Sequence, residues 1–187
     1  MAAHKAQIIL TAKTIAFMKY ILETERLGLR QFNYGDTVFI LNLLNSPGWL
    51  EFIGDRNVKT EEDAIRYLQH GPMKSYETSG FGLSLVELKT DETPIGMCGL
   101  LKRDYLEHPD IGYAFLPEFM GYGYAFEIAS ATLAYATQTL NIPTIMAITL
   151  PANEKSIRLL ERISLKFDKA ITPPPDDTKL LLFSNLE

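Results

Sequence analysis

Two glycines one residue apart, Gly121 and Gly123, stand between an apolar run and a long helical pattern. Asp110-Ile111-Gly112-Tyr113-Ala114-Phe115-Leu116 reads as a strand, and residues 123–140 read as a helix. Tyr124, Ile128, Ala131 and Tyr135 share one face of that helix. A helix begins with unbonded N–H groups and a partial positive charge, so a loop feeding one suits phosphate oxygens. Glycine lets the backbone approach such a group with no Cβ in the way. No Lys-Ser/Thr pair follows, so this is not a Walker loop, and the Gly-x-Gly-x-x-Gly dinucleotide pattern fails at its third glycine. On the glycines alone, a plain strand-to-helix turn is the simpler account.

Other reactive side chains are sparse. Cys98 is the single cysteine, so no internal disulfide forms, and its neighbours Ile95, Met97 and Leu100 mark it as a buried small hydrophobe. His4, His70 and His108 are too scattered for a ligand set, and no metal is expected. His108, before Pro109, reads as a surface residue. Trp49, Phe52 and Phe81 read as core or pocket wall. Asp110 either closes the turn after Pro109 as a solvated residue or works as a base, on the same strand face as Gly112, Ala114 and Leu116.

Composition narrows the classes further. The 187 residues are 47% apolar and 22% charged, as in one ordinary globular core, and the net charge is −5. An acidic chain with no long basic run is poorly suited to duplex DNA, and a cationic amine fits better. No apolar run reaches the 18 or more residues of a membrane span, because Lys13 and Lys19 interrupt the most lipid-like stretch. A cytoplasmic setting is expected. Residues 1–22 have lysines and no acid before Glu23, as in mitochondrial presequences, but lack the arginines and serines of those leaders. Residues 1–17 are therefore expected to be an N-terminal extension or expression remnant, with Met18 an alternative start and residues 18–187 the domain.

The elements that would position the loop follow from periodicity. Residues 20–32 suit a first strand, and Asp36 is placed to cap a helix through Leu44. Ser46-Pro47 opens a short helix, and Thr60 caps a third that runs to about Tyr76. Residues 81–89, 94–101 and 110–116 suit three consecutive antiparallel strands. Residues 144–150 are apolar on both faces, residues 153–162 are helical, and residues 179–183 form a closing strand. The order βαααβββαβαβ describes an α/β fold with a mixed sheet.

In that order the motifs resemble the GNAT superfamily of N-acetyltransferases. Met120-Gly121-Tyr122-Gly123-Tyr124-Ala125 is similar to the family's Arg/Gln-x-x-Gly-x-Gly/Ala signature. Asn153-Glu154-Lys155-Ser156 is similar to its second cofactor segment, Asn-x-x-Ser at the head of a helix. Leu22-Glu23-Thr24-Glu25-Arg26-Leu27, Leu29-Arg30 and Phe52-Ile53-Gly54-Asp55-Arg56 resemble the Rim-type, ribosomal-protein acetyltransferase-like branch, as does Thr60-Glu61-Glu62-Asp63-Ala64. The resemblance implies a single domain with a twisted, mostly antiparallel sheet whose fourth and fifth strands splay apart. Pantetheine would lie in the gap, paired with backbone of Ala114, Phe115 and Leu116. The pyrophosphate would sit on N–H groups of Met120, Gly121, Tyr122, Gly123, Tyr124 and Ala125, and Asn153 and Ser156 would flank the pantetheine arm.

Three departures stand out. Met120 replaces the usual Arg or Gln, and Leu160 stands where many members carry a tyrosine that protonates the leaving thiolate. Ser164 stands where the family commonly has Gly after the last helix, at a cost on the order of 1 kcal/mol. The implied activity is acetyl transfer from acetyl-CoA to a primary amine by direct attack, without a metal. The acceptor would be a small molecule or a protein N-terminus, with no nucleic acid or membrane as partner. Asp110 would take the amine proton, a backbone N–H near Phe115 or Leu116 would polarise the carbonyl, and Ser156 would pass a proton to the thiolate. The alternatives are a catalytically weak acyl-CoA-binding module of the same fold and a nucleotide-binding α/β protein.

Overall fold

Thr24 breaks the first predicted strand in two. In the computed structural model, which describes residues 19–175 and 177–186, the segment is a hairpin of β1 (Leu22–Glu23) and β2 (Leu27–Arg30). The Leu27 N–H donates to Thr24 Oγ1 at 3.0 Å, and the Thr24 N–H donates to the Leu27 carbonyl at 2.9 Å. These bonds close the turn. The expected extension over residues 1–17, and Met18, lie outside the described residues.

Four short helices follow: α1 (Thr37–Leu44), α2 (Pro47–Phe52), α3 (Glu61–Leu68) and α4 (Lys74–Ser79). Asp36 precedes α1 but does not cap it with its side chain. Its carboxylate instead accepts from the Asn33 N–H and from both terminal nitrogens of Arg30. Thr60 does cap α3, in a reciprocal box with Asp63. A wide π turn, Gln69–Met73, joins α3 to α4 around Pro72, whose missing N–H cannot serve a regular helix.

The remaining strands are β3 (Leu83–Leu88), β4 (Pro94–Leu101), β5 (Asp110–Phe115), β6 (Met146–Thr149), β7 (Lys166–Ile171) and β8 (Leu180–Ser184). They form one eight-stranded sheet in the order β1-β2-β3-β4-β5-β6-β8-β7. Every neighbouring pair is antiparallel except β5 with β6. Because the first strand is a hairpin, the expected fourth and fifth strands are β5 and β6. Strand β7 had no counterpart in the sequence reading. It is an exposed edge containing Lys166, Asp168 and Lys169, with no buried face to leave an apolar alternation.

Helices α5 (Tyr124–Gln138) and α6 (Glu154–Arg162) cover one face of the sheet. Ile111 and Phe115 of β5 pack there with Ile128, Ala129, Leu159 and Leu160. The other face, with Leu85 and Met97, packs on Ile40, Leu43, Trp49 and Leu68 of the first helices. Each face thus gets its own apolar layer, and the sheet is the wall between them. No helix among the described residues is long and apolar enough to cross a membrane.

Two stability predictions follow from these contacts. Ser164 holds φ at 68° just past α6, a left-handed conformation that favours glycine. Ser164→Gly is expected to raise Tm by about 2–4 °C in a calorimetric melt. Glu87 of β3 is buried and accepts from Lys19 at 2.6 Å, Tyr20 at 2.8 Å and Arg30 at 2.8 Å. Burial pushes its carboxyl up, but the hydrogen bonds from Lys19, Tyr20 and Arg30 outweigh that and hold it below its ordinary value. The resulting stabilisation is present above the ordinary glutamate pKa, about 4.3, and is lost as pH falls through the folded value. Tm is expected to drop as pH falls below about 4.3. The drop should be shallower in Glu87→Gln, which starts less stable.

Candidate active site

Strands β5 and β6 share one ladder position, Asp110 opposite Met146, beside the bond from the Met146 N–H to the Pro109 carbonyl at 2.9 Å. Beyond it they diverge toward Phe115 and Thr149. The backbone of β5 decides what faces the gap. The Leu116 N–H donates to the Ile95 carbonyl of β4 at 3.0 Å, and the register runs unbroken back to Asp110. Alternate residues of an antiparallel strand turn to the same neighbour. Leu116, Ala114 and Gly112 are therefore spent on β4, whereas Phe115, Tyr113 and Ile111 turn toward β6. Of the expected trio Ala114, Phe115 and Leu116, only Phe115 offers its N–H to the gap.

At the open end of the gap lies the N-terminus of α5. Gly121 and Gly123 have φ of 87° and 82°, and no side chain among the described residues caps the helix. A Cβ built on Gly121 would meet open space. The cradle is smaller than expected at one end, because the Met120 N–H already donates to the Pro117 carbonyl at 3.2 Å in a 3-10 turn. That leaves Gly121, Tyr122, Gly123, Tyr124 and Ala125 as the candidate amides. The Met120 side chain is 44% exposed and supplies no charge.

A cation reaches the loop from elsewhere. Arg26, in the β1–β2 turn, donates through Nη1 to the Tyr122 carbonyl at 3.0 Å and through Nε to Glu127 at 2.7 Å. Its guanidinium stacks over the Tyr124 ring, 4.5 Å from the centroid. Glu127 also accepts from Thr24 Oγ1 and the Arg26 N–H, so the hairpin turn and the first turn of α5 are tied together. Burial raises the Glu127 carboxyl, but these donors win and hold it below its ordinary value. Motif spacing does not connect Arg26 with the loop, since Tyr122 lies 96 positions further along the chain.

The Asn153-Glu154-Lys155-Ser156 segment heads α6, where the Ser156 N–H donates to Asn153 Oδ1 at 3.1 Å. Ser156 Oγ lies 2.9 Å from the Tyr113 hydroxyl. Burial pushes the Tyr113 phenol well above its ordinary value, with the Ser156 hydrogen bond opposing. Asp110 does not join this pair. Its side chain is on the other face of β5, as strand alternation requires, so the two residues expected to move protons are on opposite sides of the sheet.

Asp110 is 1% exposed, not a solvated turn residue. Arg103 Nε donates to both of its carboxylate oxygens, at 2.9 and 3.1 Å. Burial pushes the carboxyl above its ordinary value, and Arg103 pulls the other way. Leu160 is buried in the core. Cys98 is wholly buried, hydrogen-bonded to Thr132, and burial pushes its thiol up to about 12, which keeps it unreactive. Among the described residues, no group of three or more His, Cys, Asp or Glu could hold a metal ion.

A gap between two strands, glycines in the left-handed region and an uncapped helix behind them are features that family comparison can test. Residues 26–166 match the family model for the acetyltransferase (GNAT) domain. The chain belongs to the GNAT acetyltransferase family. It is 29% identical over 148 residues to the uncharacterized N-acetyltransferase YoaA of Bacillus subtilis, covering 78% of this chain and 82% of that protein. An acetyltransferase from Agrobacterium tumefaciens superposes with a TM-score of 0.75 at 26% identity, covering 89% of this chain and 94% of the other. A spermidine N-acetyltransferase from Vibrio cholerae, in complex with CoA and spermine, superposes with a TM-score of 0.71 at 19% identity. That match covers 86% of this chain and 95% of the other. The GNAT fold is thus the one the resemblance implied, splayed strands included.

The Asp110–Arg103 pair sits at the vertex of the splay and closes the β4–β5 connection. Asp110→Asn should leave the guanidinium without its buried partner, at a cost of about 2–3 kcal/mol. A calorimetric melt is expected to show Tm lowered by about 4 °C or more. An Asp110→Asn protein as stable as wild type would return Asp110 to the role of free carboxylate.

Proposed function

We propose that this GNAT protein is an N-acetyltransferase that passes the acetyl group of acetyl-CoA directly to a primary amine. The observation that carries the reading is the unpaired β5 edge at Tyr113 and Phe115, which runs toward the uncapped N-terminus of α5. A pantetheine arm is extended and carries two amide groups, so it can pair with the edge in the manner of an added strand. Its phosphates would then meet the loop amides. The Vibrio cholerae neighbour, crystallised with CoA and spermine, supports a CoA and amine pairing on this fold.

The Phe115 N–H is the donor we assign to the thioester carbonyl, since the N–H of Leu116 is bonded to β4. Asn153 and Ser156 would border the arm from α6. Direct attack needs a neutral amine. An α-amino group, with an ordinary pKa of about 7.7–8.0, is partly neutral at pH 7, whereas a lysine-like amine near 10.4 is almost wholly charged. With Asp110 confined by Arg103, the reading favours an α-amine, as on an amino acid or protein N-terminus. Met120 and Leu160, which depart from the family pattern, favour the second reading of a catalytically weak acyl-CoA-binding module.

Calorimetry should show acetyl-CoA binding in the micromolar range, about −7 to −8 kcal/mol. Gly121→Ala places a Cβ in the open space before α5 at a left-handed φ, and should weaken binding at least tenfold while lowering Tm by only a few degrees. Unchanged affinity in that variant would sink the loop assignment. Thiol release from acetyl-CoA, measured with a peptide α-amine and with spermine, then separates the two readings. Turnover with the peptide at pH 7, and a spermine rate that climbs about tenfold per pH unit between about 7 and 9, are expected of the enzyme. Tight binding with no release in either case would leave the binding module.

A further inference from the structure

We propose that Tyr113 is the proton donor to the CoA sulfur as the thioester breaks, with Ser156 as its hydrogen-bonded relay. The proposal rests on the CoA site argued above. Where relatives carry a tyrosine on the last helix, this chain has Leu160, buried among apolar residues and unable to give a proton. Tyr113 brings a phenol to the same helix from the opposite wall. It stands on β5, three residues past the vertex, and its own backbone groups line the gap. Its side chain lies on the α5/α6 face, and its hydroxyl reaches the first turn of α6, 2.9 Å from Ser156 Oγ and 3.4 Å from the Ser156 carbonyl. Because α6 follows β6, the Tyr113–Ser156 bond bridges the two walls of the splay.

Acidity separates the two hydroxyls. A phenol is a far stronger acid than an alkyl hydroxyl, and burial, which pushes the Tyr113 phenol above its ordinary value, does not reverse that order. Of the two, Tyr113 is therefore the better donor to sulfur, and Ser156 serves best behind it. As the amine nitrogen bonds to the carbonyl carbon, the C–S bond breaks and its electron pair passes to sulfur. The sulfur takes the Tyr113 phenolic proton. The phenolate takes a proton from Ser156 Oγ, which is refilled from water, and the proton lost by the amine leaves to solvent.

The test uses free CoA, so it does not depend on knowing the acceptor. The thiol of protein-bound CoA is titrated by ultraviolet thiolate absorbance in wild type and in Tyr113→Phe. A donor at the sulfur stabilises the thiolate, so the bound thiol in wild type should titrate below free CoA. Loss of the phenolic hydroxyl should raise it by about one unit, while CoA affinity measured at low pH stays within about twofold. A bound thiol that titrates alike in both proteins would overturn the proposal. If Tyr113→Phe does not fold, wild type alone decides, since a bound thiol at or above the free value overturns it equally. Absence of CoA binding to wild type, seen calorimetrically, would remove the cofactor reading itself and is told apart by the lack of binding heat.

Discussion

The missing hydrogen bonds between β5 and β6 are the constraint around which the rest of the molecule is organised. Unpaired backbone groups inside a domain are costly, and a sheet ordinarily closes over them. Here each strand is satisfied on its outer side, β5 by β4 and β6 by β8, so the divergence costs no ladder elsewhere. The vertex is closed by a buried ion pair, Asp110 with Arg103, and the open end is met by a helix start with no side-chain cap. Under the function proposed above, an extended arm with amides along its length and phosphate at its end would pair them.

The loop at the open end depends on a contact far away in sequence. Arg26 and Glu127 join the first hairpin to the first turn of α5, and Arg26 also holds the Tyr122 carbonyl. Glycines in the left-handed region are free to move, so an unrestrained loop would present its amides in many directions. The clamp narrows that choice before any ligand arrives. It also brings a guanidinium beside a loop in which Met120 replaces the usual Arg or Gln.

Most of the element order was legible in the sequence, because helices with one apolar face and strands with β-branched runs announce their period. The long helix α5, the strand β4 and the Thr60 cap were all readable that way. Failures came where a side chain changed the local outcome. Thr24 turned one predicted strand into two, Asp36 gave its carboxylate to Arg30 instead of α1, and β7 had no apolar face to betray it. At the site, motif spacing located the loop and the head of α6. It could not say which of Ala114, Phe115 and Leu116 faced the gap, because that parity is set by the bond from Leu116 to Ile95. Nor could it bring Tyr113 to Ser156 or separate Asp110 from both, since those distances belong to the two faces of the sheet.

The borders of the sheet are poor places for an incoming strand to pair. At one border β1 is only two residues long, too short to template a stranger's strand. At the other, β7 carries Lys166, Asp168 and Lys169 and is irregular between Phe167 and Lys169, which spoils the register an incoming chain would need. Peptide segments from other molecules are thus discouraged from extending the sheet outward. The unpaired strand edge left for an extended molecule is therefore in the middle of the sheet, between β5 and β6.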